Sequence, residues 1–234
     1  MEKHKQNHLI TALVGFCLAC FFAFMSYETP SYPVIENHNG FSSTLIAMEF
    51  ASVPSDIYGI IGGPENEEYM DYIDRFKTLL LYDLVLIVLY VVFYMQLIGF
   101  LYRNSASHLP TYIVSLLIAF AAVFDLAENF QIQSILDSPS ADKMEEPLAY
   151  LAFLAYPKWI LIFSVNAWIG MRIWLDEKGV LLKAIAIFLF TSFMFFIASF
   201  IKSNLIELGI LFIILGLGFF WIYSLLIIVL SRKI

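Results

Sequence analysis

Residues 78–102 read TLLLYDLVLIVLYVVFYMQLIGFLY, a run of 25 residues in which Asp83 is the one charged side chain. A helix rises about 1.5 Å per residue, so roughly 20 apolar residues cross a hydrocarbon core about 30 Å thick. This stretch is long enough to cross a bilayer with turns to spare. Five more blocks share its character, at 9–26, 112–131, 150–175, 180–201 and 208–230. The composition agrees: 61% of the 234 residues are hydrophobic and 14% are charged, against about 25% charged in soluble domains. Mean hydropathy is +0.81. The expectation is an all-α, polytopic membrane bundle of six transmembrane helices forming a single membrane domain over 1–234, with five spans as the competing count.

Short cytoplasmic loops retain lysine and arginine. Lys3, Lys5, Arg103, Arg172, Lys178, Lys183, Arg232 and Lys233 fall on one side of a six-span arrangement, and Arg75, Lys77, Lys143 and Lys202 on the other. Both termini are therefore expected in the cytoplasm of a cell with a plasma (inner) membrane. Lys3 and Lys5 ahead of an apolar block also suit a secretory signal peptide, but no convincing small-residue cleavage site follows, so the first span is expected to be retained. Cys17 and Cys20 within it share one helix face and read as packing residues, since no histidine lies at that depth to complete a metal site.

The outer loop, 27–77, carries much of the formal charge of −7. Its acidity argues against nucleic acid as a partner. Part of it is expected to fold. Residues 42–52 have apolar positions on a helical period, and Pro54, with Ser52 nearby as a cap, suits the start of a second short helix. The expected role is a helix in the headgroup layer or a lid over the outer mouth.

Charged side chains at membrane depth cost several kcal/mol unless paired, hydrated or neutralised. Asp83 on the second span, Asp125, Glu128 and Asn129 on the third, and Lys158 on the fourth all lie roughly 5–12 Å below the outer boundary. Asp125, Glu128 and Asn129 share one face at i, i+3 and i+4. An outward-opening polar pocket lined by these five residues is the expectation. Tyr90 and Tyr94 follow Asp83 on its helix face and are secondary candidates. Pro157 removes an amide hydrogen one residue before Lys158, so a kink is expected there.

Three carboxylates against one ammonium leave an excess of negative charge. The compensation is a bound cation, a proton shared among Asp125, Glu128 and Asp83, or Arg75 and Lys77 reaching in from the outer end. An all-oxygen set suits a hard ion such as Na, Ca or Mg, held by Asp125 and Glu128 if a metal binds at all. A structural salt bridge between Lys158 and Asp125 or Asp83 is the plain alternative. His4, His8, His38 and His108 lie in termini and loops, and no nucleophile or phosphate-loop motif stands out. Gly209, Gly216 and Gly218 on the last span read as points of close helix approach.

Met48-Glu49-Phe50-Ala51 in the outer loop, Asp83 with Tyr90, Asp125-Leu126-Ala127-Glu128-Asn129 and Lys158, in that order over the first two-thirds of the chain, resemble uncharacterised bacterial multi-pass membrane proteins with an intramembrane Asp-x-x-Glu-Asn motif. The resemblance implies the same bundle and brings no established activity. Three functions remain open: binding or transport of a cation, proton or small solute; a membrane-embedded enzyme acting on a lipid or lipid-linked substrate; and a non-catalytic assembly subunit held by a buried salt bridge.

Overall fold

A computed structural model describes residues 2–29, 40–102, 109–137, 140–176 and 179–230. Arg103, Lys178, Arg232, Lys233, His38 and His108 lie outside them. The described residues form eight α-helices and no strand: α1 Glu2–Glu28, α2 Thr44–Glu49, α3 Pro54–Ile61, α4 Tyr69–Tyr102, α5 Leu109–Asp137, α6 Ala141–Asp176, α7 Val180–Ser199 and α8 Leu205–Leu230. All but α2 and α3 are long and apolar enough to cross a membrane. Among the described residues the protein is thus all-α, with six helices long and apolar enough to span a membrane.

α4 and α6 each start nine residues before their apolar blocks. α4 begins at Tyr69, where hydropathy places loop up to residue 77, because Tyr69, Ile73, Phe76 and Leu80 fall on one buried face while the charged residues between them point outward. α6 begins at Ala141 for the same reason, with Met144, Leu148, Leu151 and Ala155 forming its buried stripe. Helical period survives charges that lower mean hydropathy. α6 also stays helical across Pro147 and Pro157.

The chain divides into two compact units, and α1, α4, α5 and α6 each contribute a part to both. One comprises 1–21, 88–119 and 161–234. Its core joins Phe93, Leu97, Ile118, Ile169, Leu189 and Phe220. α7 and α8 form the expected hairpin, with Phe188 stacked on Phe219 and Phe195 on Phe212. A Cβ on Gly209 would stand 2.8 Å from the Phe163 ring, and one on Gly216 2.7 Å from Leu189, so both glycines mark close approach. Gly218 does not: a Cβ there meets open space. Cys17 and Cys20 are exposed free thiols on α1, so the expected packing role does not hold.

The other unit comprises 22–87 and 120–160. Here the described residues between α1 and α4, from 40 onward, are folded. Ser43 caps α2, its hydroxyl accepting from the Ile46 amide. The start of α3 departs from expectation, since Ser52 is not its cap. The Asp56 carboxylate instead reaches back to accept from the Ser52 and Val53 amides and the Ser52 hydroxyl, at 2.8, 3.2 and 3.1 Å. An acid in the first turn satisfies orphan N–H groups and suits the helix dipole. Gly62 ends α3 at φ +84°, a conformation that favours glycine. Phe41 stacks on Phe50, whose ring meets Tyr156 of α6 edge to face. These rings and the buried Met48, Ile57 and Ile60 fix α2 and α3 as core elements of the unit.

Candidate functional site

Four helices of this unit place polar groups on otherwise apolar stripes. Lys158 continues the Met144–Ala155 stripe of α6 at helical spacing. On α5, Asp125, Glu128 and Asn129 interrupt a face continued by Ala121, Ile132 and Ile135. On α4, Asp83 falls seven residues after Phe76 on the same side. On α2, Glu49 closes a buried face of Thr44, Ala47 and Met48. Packing those stripes together gathers the polar groups in the interior of the unit.

Lys158 is the hub. Its Nζ lies 2.7 Å from Glu128 Oε1, 2.9 Å from Glu49 Oε2 and 3.2 Å from Asp125 Oδ1. The lysine is 2% exposed, Glu128 1%, Glu49 7% and Asp125 8%. The Trp159 indole N–H donates to the same Glu49 oxygen at 2.8 Å, and the ammonium stands 4.8 Å from the Trp159 ring centroid. Asp83 is half-buried and bonds to the Asn129 amide, which donates at 2.6 Å. Of the sequence-derived set, Asp125 and Glu128 therefore share Lys158, while Asp83 and Asn129 form an adjoining pair. Arg75 and Lys77 do not reach in, because each has an acidic partner nearer the helix ends: Asp71 at 2.8 Å and Asp137 at 2.7 Å.

Glu49 is the member of the lysine centre that sequence reasoning missed. It sits in a six-residue helix outside the spans and counts at first sight among many loop acids. The signal was local: it is an acid on the buried side of an amphipathic segment, inside the Met48-Glu49-Phe50-Ala51 stretch. Burial pushes the Glu49 carboxyl up from its ordinary value, against the pull of the Lys158 ammonium.

The charge imbalance is thus larger than the sequence suggested: Glu49, Asp83, Asp125 and Glu128 stand against one ammonium. The fully buried Glu128 Oε2 has no hydrogen-bond partner among the described residues. Among those residues no three of His, Cys, Asp and Glu converge in a way that holds a metal ion. The Lys158 ammonium occupies the position between the carboxylates that a hard cation at Asp125 and Glu128 would need.

Tyr90 and Tyr94 fall in the other unit and form an edge-to-face pair there at 6.4 Å. The buried Tyr94 hydroxyl accepts from the Asn166 amide at 2.6 Å. Asn166, eight residues after Lys158 on α6, was also missed, since an uncharged amide barely lowers the hydropathy of its span. It too is fully buried, and its carbonyl oxygen has no hydrogen-bond partner among the described residues.

No protein-family model, no curated protein and no solved structure matches this chain.

Proposed function

We propose that this chain is a bacterial plasma-membrane protein that binds and passes protons at the Lys158 centre, coupled to movement of a cation or small solute. The observation that carries the reading is the excess of carboxylates around one buried ammonium, with Glu128 Oε2 unpartnered among the described residues. A buried cluster of that composition is neutral only after taking up positive charge. Because Lys158 already stands where a metal would, the mobile charge is a proton. Intramembrane carboxylates that change protonation are the usual parts of proton relays and coupled carriers. The distribution of lysine and arginine supports cytoplasmic termini, which puts the centre in the outer half of the membrane.

Reconstitution into liposomes loaded with a pH-sensitive dye tests this. An acid pulse outside should acidify the lumen through wild-type protein. Glu128→Gln should abolish the signal while the protein remains folded and monodisperse. Wild-type vesicles that behave like empty ones, over a panel of candidate co-solutes, sink the reading.

One observation favours a second reading. The ammonium has three acidic partners within 3.2 Å, which suits a permanent lock between helices in an assembly subunit. In that case Glu128→Gln lowers stability and no proton flux is found in either protein.

A further inference from the structure

An open cleft of about 580 Å³ runs between the first half of α4 and the second half of α5, within the unit that holds the lysine centre. Its walls are two stripes, each graded along its length. On α4 the order is Asp74, Lys77 and Thr78, then Leu81 and Leu84. On α5 it is Gln133, then Asn129 and Phe130, then Leu126, with Asp137 beyond the polar end. Lys77 and Asp137 bridge the two helices there, and Gln133 donates to Asp137 at 3.0 Å. From Asp74 to Leu84 the gradient covers about 15 Å of helix. The apolar end is open to lipid, with Leu81 65% and Phe130 71% exposed.

We propose that this cleft binds a zwitterionic membrane phospholipid, an ethanolamine-type headgroup at the charged end and an acyl chain along Leu81, Leu84 and Phe130. A groove that is charged at one end and apolar at the other, lying along membrane-spanning helices, fits an amphiphile lying parallel to them. The charges select the headgroup. Asp74 carries no ion pair among the described residues and is exposed. Lys77 stands one helical turn away, about 5–6 Å between Cβ atoms, a spacing that lets the carboxylate meet an ammonium while the lysine meets the phosphate of the same headgroup. Two carboxylates against one lysine disfavour an anionic glycerol headgroup. Deeper in, the Asn129 amide lines the cleft while holding Asp83, so a lipid seated here lies against the residue adjoining the lysine centre. The proposal does not depend on the proton reading.

Native mass spectrometry of delipidated protein tests it, with phosphatidylethanolamine and phosphatidylglycerol of matched chains and with glycerophosphoethanolamine as the headgroup alone. One phosphatidylethanolamine per chain is expected to survive activation that strips phosphatidylglycerol. Asp74→Asn should weaken its retention about threefold or more, as for loss of one exposed charge contact. Leu84→Trp should displace it by filling the apolar end, and Met194→Trp, on a lipid-facing position of the other unit, should change nothing. Equal retention of both lipids, insensitive to Asp74→Asn, means ordinary surrounding lipid and overturns the proposal. Equal binding of glycerophosphoethanolamine assigns the cleft to a soluble zwitterion and overturns it as well. If a variant fails to elute as a folded species, the preference of the wild type between the two lipids decides alone.

Discussion

Replacing Lys158 by methionine keeps the stem of the side chain and removes the one cation among Glu49, Asp125 and Glu128. With the lysine 2% exposed and three carboxylate oxygens within 3.2 Å, the loss is that of a broken buried ion network, about 3–5 kcal/mol. That is a large part of the roughly 5–15 kcal/mol that holds a typical protein folded. The stranded carboxylates escape the penalty only by taking protons. From an ordinary glutamate value of 4.5, neutralising one costs about 4 kcal/mol at pH 7.5 and about 1.4 kcal/mol at pH 5.5. The variant should therefore be severely unstable at neutral pH and recover by about 2–3 kcal/mol relative to wild type on acidification. Melting temperature and protease resistance in nanodiscs, at both pH values, measure this. A destabilisation equal at pH 5.5 and 7.5 would refute the reasoning, because the penalty would then come from lost packing and not from unpaired charge.

The raised carboxyl of Glu49 means that the folded protein holds a proton there more firmly than the unfolded chain does. Its contribution to stability is complete below about pH 4.5 and is lost as pH rises through the folded value, so Glu49→Gln should flatten the fall of melting temperature with rising pH. Trp159→Phe removes an indole hydrogen bond to the same carboxylate and should cost about 1.5–3 kcal/mol, read as a lower melting temperature and faster proteolysis between α2 and α3. Gly209→Ala drives a Cβ against the buried Phe163 ring, which is stacked on Phe196 and has little room to yield; a loss of about 1–3 kcal/mol is expected. Gly218→Ala meets open space and replaces a poor helix former, so it should leave stability unchanged or raise it by up to about 1 kcal/mol.

Hydropathy alone finds the six long helices, because apolar length is what a bilayer demands. It misplaces the starts of α4 and α6, where Asp71, Asp74 and Arg75, or Asp142, Glu145 and Glu146, dilute an amphipathic stripe that tertiary packing still uses. The meeting of Asp125, Glu128 and Lys158 was legible from depth and helical phase, since both are fixed once the spans are counted. The partner of Asp83 was not: depth is shared by every helix in a layer, and only lateral packing decides that its carboxylate accepts from Asn129 and not from Lys158. Glu49 escaped for a different reason. No hydropathy window registers a six-residue helix, and the partners of its buried acid, Lys158 and Trp159, come from a helix more than 100 residues further along the chain.

That tertiary dependence bears on how the protein is made. Glu49 leaves the ribosome more than 100 residues ahead of Lys158, as the 110-residue separation of Glu49 from Trp159 shows. Chains are synthesised at about 5–20 residues per second, so the acid waits several seconds or more for its cation. When α6 enters the bilayer, its ammonium has acidic neighbours on α5 already in place, but its third ligand must return from the segment that follows α1. The ion network is therefore complete only after the last of its helices has been inserted and that segment has docked. A chain stalled before that step presents a poorly satisfied charge within the membrane, the kind of defect that surveillance of newly made membrane proteins can recognise and remove.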